Sequence, residues 1–239
     1  MKRLQRALAF AMLLLLGTRF LCTLAWATSP PGSVYTHVAT AEKVVALTFD
    51  DGPHPRYTDE ILDLLSEYDA RATFFVIGKN VELYGAATER AVREGHEIGN
   101  HTYSHPTLSA LSAHELTREI LSSEAIIEER TGKSPSYFRP PEGYCTADVC
   151  RTAAAAGCDV ILWSIDTRDW SGIGSDRIVE RVLAEVTPGA IILFHDYIAK
   201  NSPTPKALKK ILPRLSAAGY RFVTVRELLS AAEITSEAG

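Results

Sequence analysis

The order of the apolar runs constrains this chain most. Short, unbroken stretches of strand-forming residues alternate with longer stretches whose apolar residues recur at helical spacing. Val44 to Phe49, Ala72 to Ile77, His96 to Gly99, Tyr137-Phe138, Asp159 to Ser164, Ala190 to Phe194 and Arg221 to Val225 read as strands. Between them, Thr58 to Tyr68, Val81 to Arg93, Ser112 to Arg130, Ala147 to Ala156, Ser175 to Val186 and Pro205 to Ala218 read as helices, with a short last helix from about Arg226. Ser112-Ala113-His114-Glu115 has the form of a capping box at one helix start. Continuously apolar strands are buried on both faces, so they form a parallel sheet covered by helices. About seven such strands suit a closed or nearly closed α/β barrel in a single domain better than an open doubly wound sheet.

In a barrel of this kind the chemistry sits on loops that follow the strands. Asp50-Asp51, His101 to His105, Arg139 to Gly143, Asp166 to Trp170 and His195-Asp196 each lie just after an expected strand. Five polar clusters from distant parts of the chain therefore meet on one rim.

His101 and His105 are four residues apart, so on a helical turn both imidazoles face one ion. Alone, this spacing is more often a surface or capping pattern than a metal site. Asp51 changes that, because two histidines and one carboxylate leave positions open for water and substrate. The donor set suits Zn²⁺, and Co²⁺, Fe²⁺ or Ni²⁺ as well. With Asp51 on the metal, Asp50 is free to take a proton. Asp50-Asp51-Gly52-Pro53 is equally a good strand-ending turn, and the two readings are compatible.

Thr48-Phe49-Asp50-Asp51-Gly52-Pro53, His101-Thr102-Tyr103-Ser104-His105, Arg139-Pro140-Pro141-Glu142-Gly143, Asp169-Trp170 and Leu193-Phe194-His195 occur in this order. Together they resemble the five motifs of the polysaccharide deacetylase family, carbohydrate esterase type 4, over roughly residues 43 to 230. The resemblance implies a distorted (β/α) barrel. It implies that Asp51, His101 and His105 hold a divalent metal and that Asp50 is the base toward a metal-activated water. Arg139 would pair with Asp50, and His195 would be the acid that protonates the leaving amine, oriented by Asp169. Trp170 and Leu193 would line the pocket for the acetyl methyl. The family often has Tyr where Glu142 stands; the role there belongs to a backbone N–H, so catalysis should survive while a carboxylate at the mouth alters substrate preference. Tyr144 is a candidate to stack on a sugar ring, against the plainer reading of a packed loop residue.

The remaining candidates read as structural. His37, His54 and His114 lack a second partner at ligand spacing, His96 reads as a satisfied core histidine and Trp163 as core. Asp166 reads as capping the loop after it and Asp196 as bonding locally.

Residues 1–27 have the build of a secretory signal: Lys2, Arg3 and Arg6, an apolar run from Ala7 to Gly17, then Ala25-Trp26-Ala27 as a cleavage site. The run is about half the ~20 residues that a membrane span needs. This points to a secreted or cell-surface protein with no integral span after cleavage. Residues 28–42 read as an extended lead-in, 43–231 as the catalytic domain and 232–239 as a C-terminal tail. A net charge of −4 argues against a nucleic-acid partner. In an oxidising compartment a Cys145–Cys150 disulfide and buried free thiols are both open readings.

The expected activity is removal of N-acetyl groups from an extracellular glycan, peptidoglycan or chitin-like. The alternatives are de-O-acetylation of acetylated xylan and non-catalytic carbohydrate binding on the same fold. A non-haem iron oxygenase shares the ligand set, but its usual jelly roll lacks this strand–helix alternation. Oligomeric state is not legible.

Overall fold

The computed structural model of the protein describes residues 32–197 and 201–237. The expected signal segment lies outside the described residues. The strands are β1 (Val34–Tyr35), β2 (Val44–Asp50), β3 (Ala72–Val76), β4 (Glu97–Asn100), β5 (Tyr137–Phe138), β6 (Asp159–Ile161), β7 (Ile165–Asp166), β8 (Ile191–His195) and β9 (Arg221–Phe222). The α-helices among the described residues are α1 (Tyr57–Ser66), α2 (Gly78–Arg93), α3 (Ala113–Thr131), α4 (Ala147–Ala155), α5 (Ser175–Glu185), α6 (Thr204–Ala217) and α7 (Val225–Glu237).

The strands run in the order β1-β6-β5-β4-β3-β2-β8-β7, with β9 pairing with β2. Every ladder between them is parallel. The sheet curls into a half-barrel with helices outside, the distorted (β/α) barrel that the motifs implied. Alternation along β2 explains the layering. Val45, Leu47 and Phe49 join a cluster with Ile61, Leu62 and Leu65 of α1, Ile178 and Val182 of α5, and Leu208, Ile211 and Leu212 of α6. Phe49 stacks between Phe74 and Phe194 of the neighbouring strands, with centroids 5.0 and 5.6 Å away. Burying one such ring contributes roughly 1.5–3 kcal/mol. Val44 and Ala46 take the other face, with Phe75, Tyr137, Ile161 and Ile191. Thr48 and Asp50 continue that inner parity, which delivers Asp50 to the barrel's rim.

The run from Arg221 to Val225 is strand only over Arg221–Phe222, and Val225 opens α7. Two further differences lie at the edges of the sheet. The run from Asp159 to Ser164 is two strands, β6 and β7, at opposite parts of the sheet order. The cause is a change of hydrogen-bonding partner within three residues: Leu162 N–H donates to Tyr35 O of β1, whereas Ser164 N–H donates to Ile191 O of β8. Residues 162–164 thus bridge the two ends of the sheet. The expected lead-in contains β1, whose parallel pairing with β6 covers that edge. The expected tail is also different, because α7 continues to Glu237.

The capping box forms as expected. Ser112 Oγ accepts from Glu115 N–H, and the Glu115 carboxylate accepts from Ser112 N–H. At the other end of α3, Gly132 takes the left-handed conformation that glycine adopts without strain.

Candidate active site

Asp50 and Asp51 leave β2 in opposite roles. Asp50 is buried, and its Oδ1 accepts from Arg139 Nη1 at 2.7 Å. Asp51 has φ 73, which turns its side chain out of the strand's parity. Its carbonyl accepts from Asn80 Nδ2 at 2.7 Å, so the first turn of α2 holds that strained residue. Asp51 Oδ1 is buried without a hydrogen-bond donor, yet lies 3.4 Å from the Nε2 atoms of both His101 and His105.

The histidines reach it from a loop and not, as the spacing implied, from a helical turn. Residues 101–107 have no helical hydrogen bonding, and Thr102 (φ 68) and His105 (φ 54) are both left-handed. These reversals bring the two rings together, 5.1 Å between centroids. Asn100 Oδ1 accepts from Thr102 N–H, Thr102 Oγ1 accepts from His105 N–H, and Glu119 of α3 accepts from Tyr103 and Ser104 N–H. A loop with that many anchors holds its conformation although two residues in it are strained.

His101 is buried with Nδ1 2.6 Å from Arg139 O. With Nδ1–H donating to that carbonyl, the Nε2 lone pair faces Asp51. Burial lowers the His101 pKa, but the charges of Asp50 and Asp51 outweigh it and the net direction is up. For Asp51, burial raises the pKa while the adjacent His101, then His195 and His105, bring it below its ordinary value.

These residues fit a divalent cation. The donor atoms of Asp51, His101 and His105 all lie within 4.8 Å of one another. An ion about 2.0–2.1 Å from each donor at tetrahedral angles places neighbouring donors ~3.4 Å apart. The carboxylate oxygen without a donor is the atom such an ion would satisfy. Two imidazoles and a carboxylate are a borderline donor set, suited to Zn²⁺ and its first-row neighbours.

Beside this cluster, His195 is the sheet neighbour of Asp50, register-paired with it across β2 and β8. His195 Nδ1 lies 2.8 Å from Asp169 Oδ1, while Asp169 Oδ2 accepts from His195 N–H and from Thr204 Oγ1. Burial works against the imidazolium, but the Asp169 hydrogen bond and charge, with Asp50 and Asp51 beyond, push the pKa up to about 9.

Arg139 ties the two halves together. Its fully buried guanidinium donates to Ile161 O, Leu162 O, Thr48 Oγ1 and Asp50 Oδ1, and lies 4.2 Å over the Phe75 ring. One residue therefore braces the Asp50 carboxylate with its side chain and His101 with its carbonyl.

The remaining expected site residues lie on β8 and on the flanking turns. Leu193 is buried in β8 between Thr48 and Asp166 in register. Trp170 is 57% exposed, with its indole N–H donating to Asp166 Oδ1 at 3.2 Å. Asp166 also accepts from Arg168 N–H, the loop-capping role read for it. Glu142 (φ 58) and Tyr144 are exposed on the loop after β5, without side-chain hydrogen bonds to the buried cluster. His96 is the satisfied core histidine expected: its Nδ1 accepts from Ala72 N–H, and burial takes its pKa down to about 4. Trp163 is half-buried beneath Arg139 and not fully core.

Some supporting residues were not legible. Asn80, Glu119 and Thr204 lie far from the motifs they brace. Asp196 is fully buried; its Oδ2 accepts from Thr58 Oγ1, and Oδ1 has no partner. Burial, and then the charges of Asp51 and Asp50, push its pKa up to about 7. A Cβ on Gly52 would lie 2.2 Å from this carboxyl, which explains the glycine.

A parallel half-barrel carrying a two-histidine, one-carboxylate cluster beside a braced Asp and an Asp–His pair fits the class of barrel hydrolases, with a rim that could hold a metal ion. Residues 37–161 match the family model described as polysaccharide deacetylase. The chain is 46% identical over 202 residues to a peptidoglycan-N-acetylglucosamine deacetylase of Bacillus cereus, covering 84% of this chain and 94% of that protein. It is 40% identical to the peptidoglycan-N-acetylmuramic acid deacetylase PdaC of Bacillus subtilis, over 78% of this chain but 39% of that longer protein. Among solved structures, a peptidoglycan N-acetylglucosamine deacetylase in complex with 4-naphthalen-1-yl-N-oxidanyl-benzamide superposes with a TM-score of 0.80 at 37% identity, covering 83% of this chain and 93% of that one. The chain belongs to the polysaccharide deacetylase family and is an enzyme of that class. No helix among the described residues is long and apolar enough to cross a membrane.

Proposed function

We propose that the protein removes N-acetyl groups from the amino sugars of peptidoglycan outside the cell. Asp51, His101 and His105 would hold a divalent metal, Zn²⁺ by preference, with Asp50 as base and His195 as acid. The observation that carries this reading is Asp51 Oδ1: buried, without a donor, and equidistant at 3.4 Å from two imidazole nitrogens. A cation bound there would supply Lewis-acid polarisation of the acetyl carbonyl and acidify the attacking water.

The chain's own residues do the rest. In this reading Asp50, held at 2.7 Å by Arg139, takes the attacking water's proton as oxygen adds to the carbonyl carbon. An amide nitrogen leaves only when protonated. His195, its Nδ1 paired with Asp169, donates that proton as the C–N bond breaks. Acetate and a free amine on the sugar are the products. Exposed Trp170, Tyr144 and Glu142 stand where a polymer would lie, and Leu193 underlies the acetyl pocket in this reading. The leader pattern in residues 1–27 and the named substrates of the relatives support export and a cell-wall glycan.

The test is acetate release by the purified protein from peptidoglycan, chitin oligomers and acetylated xylan in parallel, metal-stripped and then restored with Zn²⁺ or Co²⁺. Metal-restored release from peptidoglycan, with mass analysis locating the new amine on glucosamine or muramic acid, is the expected result. Release from xylan alone would make the enzyme an O-acetyl esterase. No release despite stoichiometric metal would leave carbohydrate binding as the activity.

A further inference from the structure

Cys145 and Cys150 flank the start of α4 at positions with a known structural use. Thr146 is the N-cap, its Oγ1 accepting from Val149 N–H, so Cys145 stands one residue before the cap and Cys150 on the fourth helical residue. These are the positions at which a hydrophobic staple fixes the angle of chain entry into a helix. The two Sγ atoms are 2.8 Å apart, both half-buried. We infer that this pair is an oxidised, covalent staple in the working enzyme, a disulfide clamping the loop from Arg139 to Tyr144 onto α4. That compartment is oxidising only if the chain is exported, so the inference rests on the reading above.

The clamped loop is the one that matters for the site. Its Arg139 braces Asp50 and His101, and Gly143 packs so tightly on Trp163 that a Cβ would lie 2.7 Å from the ring. Tyr144, adjacent to the staple, is exposed.

The step needs an acceptor disulfide, a thiol–disulfide oxidoreductase in the envelope or oxidised glutathione in vitro. One cysteine thiolate attacks the acceptor and expels one thiol. The second cysteine attacks the mixed disulfide and expels the other, so two protons and two electrons leave the pair and the acceptor is reduced to two thiols. Cys158, fully buried with its Sγ near Pro135 O, serves as an internal reduced control.

The experiment equilibrates the full chain in a glutathione redox buffer, alkylates it under denaturing conditions and maps tryptic peptides. Both cysteines fall in one peptide, residues 134–151, because Arg139 precedes proline and is not cleaved. The expected result is that peptide unalkylated and two hydrogens lighter than its reduced form, with Cys158 alkylated. Cys145→Ser, Cys150→Ser and the double variant should each lower the thermal midpoint by the same amount, about 4–8 °C, because losing either partner loses the whole bond. Two alkylated thiols in that peptide, pairing of either with Cys22 or Cys158, or midpoints that do not move would overturn the inference. Acetate release is scored separately, so an enzyme that forms the bond but deacetylates nothing rejects the function and not the staple.

Discussion

Replacing Arg139 by Met tests the central electrostatic claim. Arg139 is fully buried and Asp50 nearly so, and the 2.7 Å contact between them is the only ion pair that either makes with an oppositely charged Arg or acid among the described residues. Methionine keeps much of the volume and the packing on Phe75 but leaves a carboxylate stranded in the barrel. Breaking a buried pair from one side costs about 3–5 kcal/mol, because the surviving charge loses the guanidinium that compensated its burial. The orphaned Ile161 and Leu162 carbonyls push the cost toward the upper end of that range. In a domain of this size the change lowers the thermal midpoint by about 6–20 °C. Urea unfolding followed by circular dichroism, with chelator present so that metal binding does not contribute, measures it. Asp50→Asn/Arg139→Met should lose clearly less than the sum of the single variants, with a coupling above about 1 kcal/mol. A cost below about 1 kcal/mol for Arg139→Met, or additivity within about 0.5 kcal/mol, would refute the reasoning.

Asp50→Asn should bind one equivalent of Zn²⁺ nearly as well as the parent while acetate release falls by about a hundredfold or more, the scale of general-base loss; retained activity would remove Asp50 from the role. In the metal-free protein, the folded His195 pKa of about 9 lies above its ordinary value of 6.5, so its stabilisation is complete below about 6.5 and is lost as pH rises through about 9. The thermal midpoint of the parent should therefore fall across that window, and His195→Gln should flatten the fall; parallel pH profiles for the two proteins would contradict the assignment. Gly52→Ala should destabilise by about 1–3 kcal/mol, since the new methyl meets the Asp196 carboxyl, and Asp196→Ser in the same chain should recover part of the loss in a denaturant titration.

Much of the fold could be read from local pattern. The apolar runs that became β2, β3 and β8, and the capping box that starts α3, are properties of a few neighbouring residues, and their physics is short-range. The family motifs likewise named Asp50, Asp51, His101, His105, Arg139, Asp169 and His195 before any geometry was known. Tertiary structure decided the rest. Whether Asp159 to Ser164 is one strand or two depends on the neighbour that each backbone N–H finds, Tyr35 or Ile191, and both are remote in sequence. The left-handed turns at Asp51, Thr102 and His105 break the expected helical spacing, and they persist because Asn80 and Glu119 hold the loops from elsewhere and Asn100 accepts locally from Thr102. Asp196 read as bonding locally beside His195, whereas its side-chain donor is the distant Thr58, and only the closure of β8 against the Gly52 turn buries it. Side-chain chemistry and local periodicity are written along the chain, whereas burial and the direction of a side chain are set by contacts across the fold.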